Sequence, residues 1–108
     1  MSGEVTKHHL LGYLQLHIGA AKGIGAQALA DLAGCNKRQV RHLVTDLRMG
    51  GTAVCGHPRT GYFIAETPEE LEQTLRYLRD RAMTSLVLEA KLRNMPLPDL
   101  LGQLRLPT

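Results

Sequence analysis

The spacing of apolar residues changes at Gly50-Gly51 and becomes helical again after Thr67. Before the two glycines, three segments repeat apolar residues every three or four positions, which is typical of amphipathic helices. After them, residues 52–55 and 61–65 are β-type runs on either side of a turn that contains Gly56 and Pro58. The predicted order is therefore three helices, a hairpin and a fourth helix. This order predicts a mostly α domain with a small antiparallel β-hairpin.

Glycines and helix caps set the predicted bounds of the first three helices. The first covers about residues 5–18. The second starts near residue 26 and ends at Gly34, a typical C-terminal glycine. The third helix follows its N-cap Asn36, whose partner in a capping box is Gln39. The short segment Gly23-Ile24, which precedes the second helix, is able to add a third strand to the hairpin. The predicted inward-facing residues of the three helices are Leu10, Leu11, Leu14, Ile18, Ala26, Leu29, Ala30, Ala33, Val40, Leu43, Val44 and Leu47.

The fourth helix is predicted to be long, from Pro68 to about residue 94. Thr67 is its predicted N-cap, with Glu70 as the capping-box partner. Two prolines, Pro96 and Pro98, end it, and residues 97–106 form a short apolar tail. We therefore expect a domain over residues 1–66 and a second segment over residues 67–108.

A helix-turn-helix is predicted between the second and third helices. Ala30 is small enough for two helices to cross closely, and Gly34 permits the positive φ that the turn requires. Cys35, Val40 and Leu43 then supply the apolar positions that seat one helix on the other. These spacings, followed by a hairpin, predict a winged helix-turn-helix with three core helices and a wing.

This segment resembles the winged helix at the front of biotin-operon-repressor-type regulators. The resemblance is carried by residues 30–47 and by Arg59-Thr60-Gly61-Tyr62-Phe63-Ile64, and it extends over about residues 10–65. It implies a winged-helix fold and contact with DNA. We expect no ligand-binding or catalytic domain to follow it, so biotin chemistry is not implied. Small phage-encoded and prophage-encoded DNA-binding proteins are also similar.

The positive charge of the chain is concentrated in residues 36–65, where five basic side chains accompany Asp46 alone. A basic band beside a nearly neutral remainder is typical of a protein that binds a polyanion. With the third helix in the major groove, Arg38 or Arg41 would read guanine and Gln39 adenine. Lys37, Arg48 and Arg59 would contact phosphates. The full predicted set is Asn36, Lys37, Arg38, Gln39, Arg41, His42, Thr45, Arg48 and Arg59.

Other function classes find little support in the sequence. There is no Ser/His/Asp set or glycine-rich phosphate loop, and no Cys/His spacing that suits zinc, although His8, His9 and His17 lie close together. We therefore expect no enzyme activity, no cofactor and no metal. Cys35 and Cys55 are interpreted as small apolar residues in a reducing compartment. Because no apolar run is long enough for a bilayer and no signal peptide is evident, we expect a cytoplasmic protein without membrane contact.

The long helix is predicted to pair with a second copy of the chain. Its apolar stripe comprises Leu71, Leu75, Leu78, Ala82 and Leu86, but Ser85 and Glu89 interrupt a strict seven-residue repeat. Residues in its second half, chiefly Leu86, Val87 and Ala90, are the predicted partner contacts. A homodimer would also suit a two-fold DNA site.

The C-terminal segment carries Gln103, Leu104 and Leu106. It is similar to the short peptides with which bacterial proteins dock on the replication sliding clamp, but we favour the interpretation that it is a short amphipathic turn packed on the dimer. Three hypotheses follow. The first is a dimeric, sequence-specific regulator of transcription that binds double-stranded DNA. The second is a phage-type replication or recombination accessory that docks a replication protein through this segment, and the third is a winged helix used only for protein contact.

Overall fold

The computed structural model describes residues 5–105, which form five α-helices, one short 3-10 helix and one hairpin. Their bounds are α1 Lys7–Leu14, the 3-10 helix Ala20–Lys22, α2 Ala26–Ala33, α3 Lys37–Met49, β1 Val54–His57, β2 Gly61–Ile64, α4 Pro68–Leu92 and α5 Leu97–Leu104. The predicted fold class is confirmed: the chain is mostly α, with a small antiparallel β-hairpin and a long C-terminal helix.

The chain divides into two compact units, one up to Thr74 and one from Leu75 onward. The predicted boundary after residue 66 lies earlier, at the start of α4. The first turns of α4 belong to the first unit, because the Glu70 carboxylate accepts a hydrogen bond from the backbone of Ala20 and the Thr74 side chain is buried.

The core of the first unit lies where α1, α2, α3 and the hairpin meet. Leu10 and Leu14 of α1 are fully buried, as the spacing of their stripe predicts. The remaining buried members of the cluster come from the other elements: Ile24, Leu29, Ala30, Val40, Val44, Leu47 and Val54. Leu11, Ala33 and Leu43 pack against this cluster while partly exposed. Most of the predicted inward-facing residues therefore form the core.

The hairpin pairs Val54 with Ile64 and Cys55 with Phe63 in antiparallel register. Its second strand is also bonded along its other edge. Ile24 and Tyr62 exchange two backbone hydrogen bonds of 2.8 and 2.7 Å. The segment before α2 therefore joins the hairpin, as predicted, but as a single bridge rather than as a full third strand.

The first helix is shorter than predicted, because α1 ends at Leu14 instead of continuing to Ile18. The backbone beyond it bonds to β2: the Gly19 N–H donates to the Ile64 carbonyl, and the Ile64 N–H donates to the His17 carbonyl. Ile18 consequently lies in a β-bridge and is 44% exposed, so the prediction that it faces the core is wrong.

The second unit consists of the rest of α4 and α5. The long helix ends at Leu92, two residues before the predicted end, because Asn94 adopts a left-handed φ of 55° and Met95 N–H donates to the Ala90 carbonyl. The segment predicted as an apolar tail forms α5 instead, with Leu100 buried. Across residues 5–105, no helix combines the length and the apolar character that a membrane span needs.

Candidate nucleic-acid interface

The turn between α2 and α3 contains the left-handed glycine that the sequence predicts at Gly34. Gly34 adopts a left-handed conformation with φ of 73°, which a side chain with a Cβ would strain. The Cys35 N–H then reaches back to the Ala30 carbonyl at 3.0 Å and closes the end of α2. Ala30 is fully buried, so its small side chain allows α2 and α3 to pack closely.

A complete capping box begins α3. The Gln39 N–H donates to Asn36 Oδ1 at 2.8 Å, and the Asn36 N–H donates to Gln39 Oε1 at 2.9 Å. This confirms the predicted cap and fixes the first turn of the helix. It also engages one oxygen of each side chain, so a bidentate contact from Gln39 to adenine would have to share Oε1 with the Asn36 N–H.

The outer side of α3 forms a basic face that is directed away from the core. We use the name basic face for Lys37, Arg38, Arg41, His42 and Thr45, all of which are exposed. Val40 and Val44 lie on the opposite side of the same helix and are buried. Within residues 5–105 the charged groups of Lys37, Arg38 and Arg41 form no ion pair. His42 Nε2 lies 3.6 Å from Asp46 Oδ2, one helical turn away.

Arg48 occupies a different environment from the basic face. Its side chain is half-buried, and Nε donates to the Val54 carbonyl of β1 at 2.8 Å. Burial lowers the pKa of its guanidinium, an effect that nearby Tyr62 and Cys55 partly offset. Sequence reasoning placed Arg48 on a phosphate and missed this second role, which is to join α3 to the hairpin. No sequence pattern signals such a contact, because it depends on how the two elements meet.

Arg59 lies in the turn of the hairpin and is exposed. Its backbone N–H donates to His57 Nδ1 at 3.1 Å, and the Thr60 N–H donates to the His57 carbonyl at 3.1 Å. These two bonds order the turn. Arg59 is thus presented at the tip of the hairpin, where a wing residue would meet a phosphate.

Glu70 was predicted as the capping-box partner of Thr67, and its carboxylate also serves two other backbone donors. The Glu70 N–H donates to Thr67 Oγ1 at 3.1 Å. Its carboxylate accepts hydrogen bonds from the N–H groups of Ala20 and Glu66, each at 2.8 Å. These bonds, the one from Ala20 first, hold the pKa of Glu70 below its usual range. The Thr67 N–H, which the predicted box assigns to this carboxylate, lowers the pKa in the same direction but contributes least. The two main donors were not predicted, because one of them, Ala20, lies 50 positions away in the sequence.

A small cavity of about 230 Å³ lies beside this contact, with Phe63, Glu70 and Thr74 among its lining residues. In the described range 5–105, no three His, Cys, Asp or Glu side chains come together as metal ligands would. Cys55 is buried in the hairpin, and its burial raises the pKa of the thiol.

The predicted partner contacts of α4 are partly covered within the chain itself. Leu86 and Val87 are half-buried, and Ala90 is only 3% exposed. Because a side chain that is already buried offers little area to a second protein, Ala90 is a poor partner contact as the chain stands. Gln103 and Leu104 are exposed at the end of α5. Leu106 lies outside the described residues.

The chain matches no protein-family model, no curated protein and no solved structure.

Proposed function

We propose that this chain is a sequence-specific DNA-binding protein, a dimeric regulator of transcription built on a winged helix-turn-helix. In this proposal α3 enters the major groove of double-stranded DNA, and the hairpin turn contacts the backbone. The observation that carries the proposal is the basic face of α3. Three basic side chains, Lys37, Arg38 and Arg41, are exposed and without an ion pair within residues 5–105, on a helix whose other side is anchored in the core.

The position of each residue along α3 suggests its role. Arg38 and Arg41 lie in the first turns of the helix, where side chains reach base edges, and either can grip guanine through two hydrogen bonds. Lys37 and Arg59 are suited to phosphates, which position a domain without reading sequence. The Nε of Arg48 donates its hydrogen bond to the Val54 carbonyl, so only the other guanidinium N–H groups of Arg48 are available to contact DNA.

The proposal also includes the location and the chemical class of the protein. We propose a cytoplasmic regulator of the phage or prophage type that catalyses no reaction and needs no cofactor. Support comes from the absence of a catalytic motif in the sequence and from two cysteines that are not arranged as a disulfide framework.

A second candidate function is docking of a replication protein through the C-terminal segment. Its support is the exposure of Gln103 and Leu104 at the end of α5. Removal of residues 103–108 tests this candidate, because a DNA-binding regulator that uses α3 should retain its affinity for DNA, whereas a docking protein should lose capture by the sliding clamp.

The test of DNA binding is the affinity for mixed duplex DNA as a function of salt. We compare the parent chain with an Arg38→Ala, Arg41→Ala double variant. The parent should show a steep fall of log K with log salt, with a slope of roughly 0.9 per phosphate neutralised. The double variant should lose affinity and lose preference among selected sequences.

The matched control is an Arg76→Ala, Lys91→Ala double variant, which removes the same charge from exposed positions on α4. It should bind almost as the parent does. If the parent binds no DNA at low salt, or if the two double variants bind equally well, the proposal is wrong and the chain is better explained as a protein-contact module.

A further inference from the structure

The middle of α4 is exposed on every side. Residues 75–82 are exposed without interruption, and they include Leu75 at 47% and Leu78 at 38%. Two exposed leucines three positions apart lie on the same side of a helix. An apolar strip on a helix that is otherwise solvated indicates a contact with another protein.

The exposed leucines belong to a longer stripe whose members follow one another at intervals of four, three and four residues. These members are Leu71, Leu75, Leu78 and Ala82. This is the spacing of the seam between two paired helices. The regular seam stops before Ser85 and Glu89, so a helix that packs here can follow it for about three turns.

Charged residues flank the stripe in an ordered way. Glu72 follows Leu71 by one position and Arg79 follows Leu78 by one position, and the separation of seven positions between the two charges places both along the same edge of the stripe. Both are exposed, and neither forms an ion pair in the part of the chain that the structure describes. The opposite edge carries Arg81, whose guanidinium lies 5.8 Å from the ring centre of Tyr77. One edge thus presents an acid and a base, and the other presents a base alone.

We propose that two copies of the chain pair through this stripe as antiparallel helices, with a two-fold axis near Leu75. In an antiparallel pair, each edge of one helix faces the same edge of the other. With the axis near Leu75, Glu72 of each copy then lies opposite Arg79 of the second copy, and Leu75 of each copy packs beside Leu78 of the other. In a parallel pair, the edge with Glu72 and Arg79 would instead face the edge with Arg81. The charges therefore favour a second copy in the antiparallel orientation as the occupant.

This pairing deepens the proposed function, since it rests on the dimeric form of the regulator and names its contact surface. It moves that surface from Leu86, Val87 and Ala90, which are partly covered within the chain, to the exposed turns before them. The evidence for it is separate from the basic face of α3.

The decisive experiment combines two charge reversals, Glu72→Arg and Arg79→Glu, and follows self-association by sedimentation velocity. Each single variant replaces two attractions by two repulsions, so its dimer should dissociate about tenfold more readily than that of the parent. A mixture of the two single variants restores both attractions and should form a mixed dimer. A chain that carries both reversals should associate like the parent.

Matched controls are Asp80→Arg and Lys91→Glu, which reverse charges of the same two signs at exposed positions on the side of α4 opposite the stripe. Neither should weaken the dimer, and their mixture should gain nothing. Leu75→Glu should abolish association, whereas Leu88→Glu, at another exposed leucine on a different side of α4, should leave it intact. Circular dichroism should show all variants folded.

A parent chain that stays monomeric up to its solubility limit would overturn the pairing, as would single variants that associate like the parent or whose mixture forms no mixed dimer. Failure of the pairing is distinguishable from failure of the proposed function. If the parent chain is monomeric but binds DNA, and its Arg38→Ala, Arg41→Ala double variant binds DNA more weakly, the proposed DNA recognition stands and only the pairing is wrong. If the parent chain forms a dimer that responds to the charge reversals as expected but binds no DNA, the pairing stands and the proposed function is wrong.

Discussion

The Nε of Arg48 donates a hydrogen bond of 2.8 Å to the carbonyl oxygen of Val54 and thereby joins the last turn of α3 to the first residue of β1. Replacement by methionine keeps the apolar stem but removes the donor. Because a hydrogen bond from a charged group stabilises a fold by about 1.5 kcal/mol or more, Arg48→Met should lower the free energy of unfolding by that order. Urea denaturation measures it.

The control for this prediction is Arg76→Met, at an exposed arginine of α4 that forms no ion pair within residues 5–105. Its effect should stay within about 0.5 kcal/mol, as for most surface substitutions. Equal stabilities of the two variants would show that the Arg48 contact does not hold the hairpin.

Glu70 should make the stability of the first unit depend on pH. Its pKa is lowered in the folded chain, chiefly by the Ala20 N–H and then by the Glu66 N–H. The ionised carboxylate therefore stabilises the fold above the ordinary pKa of a glutamate, and this contribution is lost as the pH falls through the lowered folded value. Glu70→Gln should destabilise the chain most at neutral pH, and its difference from the parent should shrink on acidification.

The control is Glu69→Gln, one residue earlier in the same helix turn and exposed. Thermal melts of both variants between neutral and acidic pH give the comparison. If the stability difference for Glu70→Gln stays constant with pH, the hydrogen bonds from Ala20 and Glu66 do not control the ionisation of this carboxylate.

Asn36 should affect stability and DNA binding separately. Asn36→Ala removes the cap of α3 and should lower the free energy of unfolding by about 1 kcal/mol. Asn36→Asp keeps an acceptor for the Gln39 N–H, so stability should be retained, while its negative charge should repel DNA phosphates and weaken binding. Denaturation and DNA titration of the two variants measure this. An Asn36→Asp chain that binds DNA as well as the parent would place Asn36 away from the interface.

Gly61 should not tolerate a side chain. It starts β2 with φ of 76°, and a Cβ there would overlap the carbonyl of Ile24 and lie 2.7 Å from the Gly25 nitrogen. Gly61→Ala should therefore destabilise the fold by more than about 2 kcal/mol. Gly12, inside α1 with open space around it, should respond in the opposite way to the same change, with a gain of about 0.5–1 kcal/mol. Thermal melts of the two alanine variants give the signs, and a stable Gly61→Ala chain would contradict the tight approach.

Local signals in the sequence predict most of the elements. The caps at Asn36 and Thr67, the glycine at Gly34 and the switch to β-type runs each act over a few residues, so the sequence carries them directly. The basic face of α3 could also be predicted, because Lys37, Arg38 and Arg41 lie opposite a regular apolar stripe.

Contacts between distant segments could not be predicted in this way. α1 ends early because His17 and Gly19 bond to Ile64, far along the chain, and helical spacing alone does not reveal this competitor. The hydrogen bond from the Ala20 N–H to the Glu70 carboxylate could not be predicted for the same reason. The tail was not predicted as a helix because it is short and rich in proline, and short helices depend on packing rather than on propensity.

The bonding of the hairpin on both sides has a consequence for how copies of the chain behave when crowded. A two-stranded ribbon exposes backbone edges onto which a neighbour's strand can be added, the usual start of aggregation. Here Ile24, His17 and Gly19 occupy the outer edge of β2, and Arg48 takes the Val54 carbonyl on the outer edge of β1. Few backbone N–H and carbonyl groups on these edges are therefore free to pair with a strand of another molecule. Copies that are brought side by side can therefore stand close together while each keeps its own ribbon.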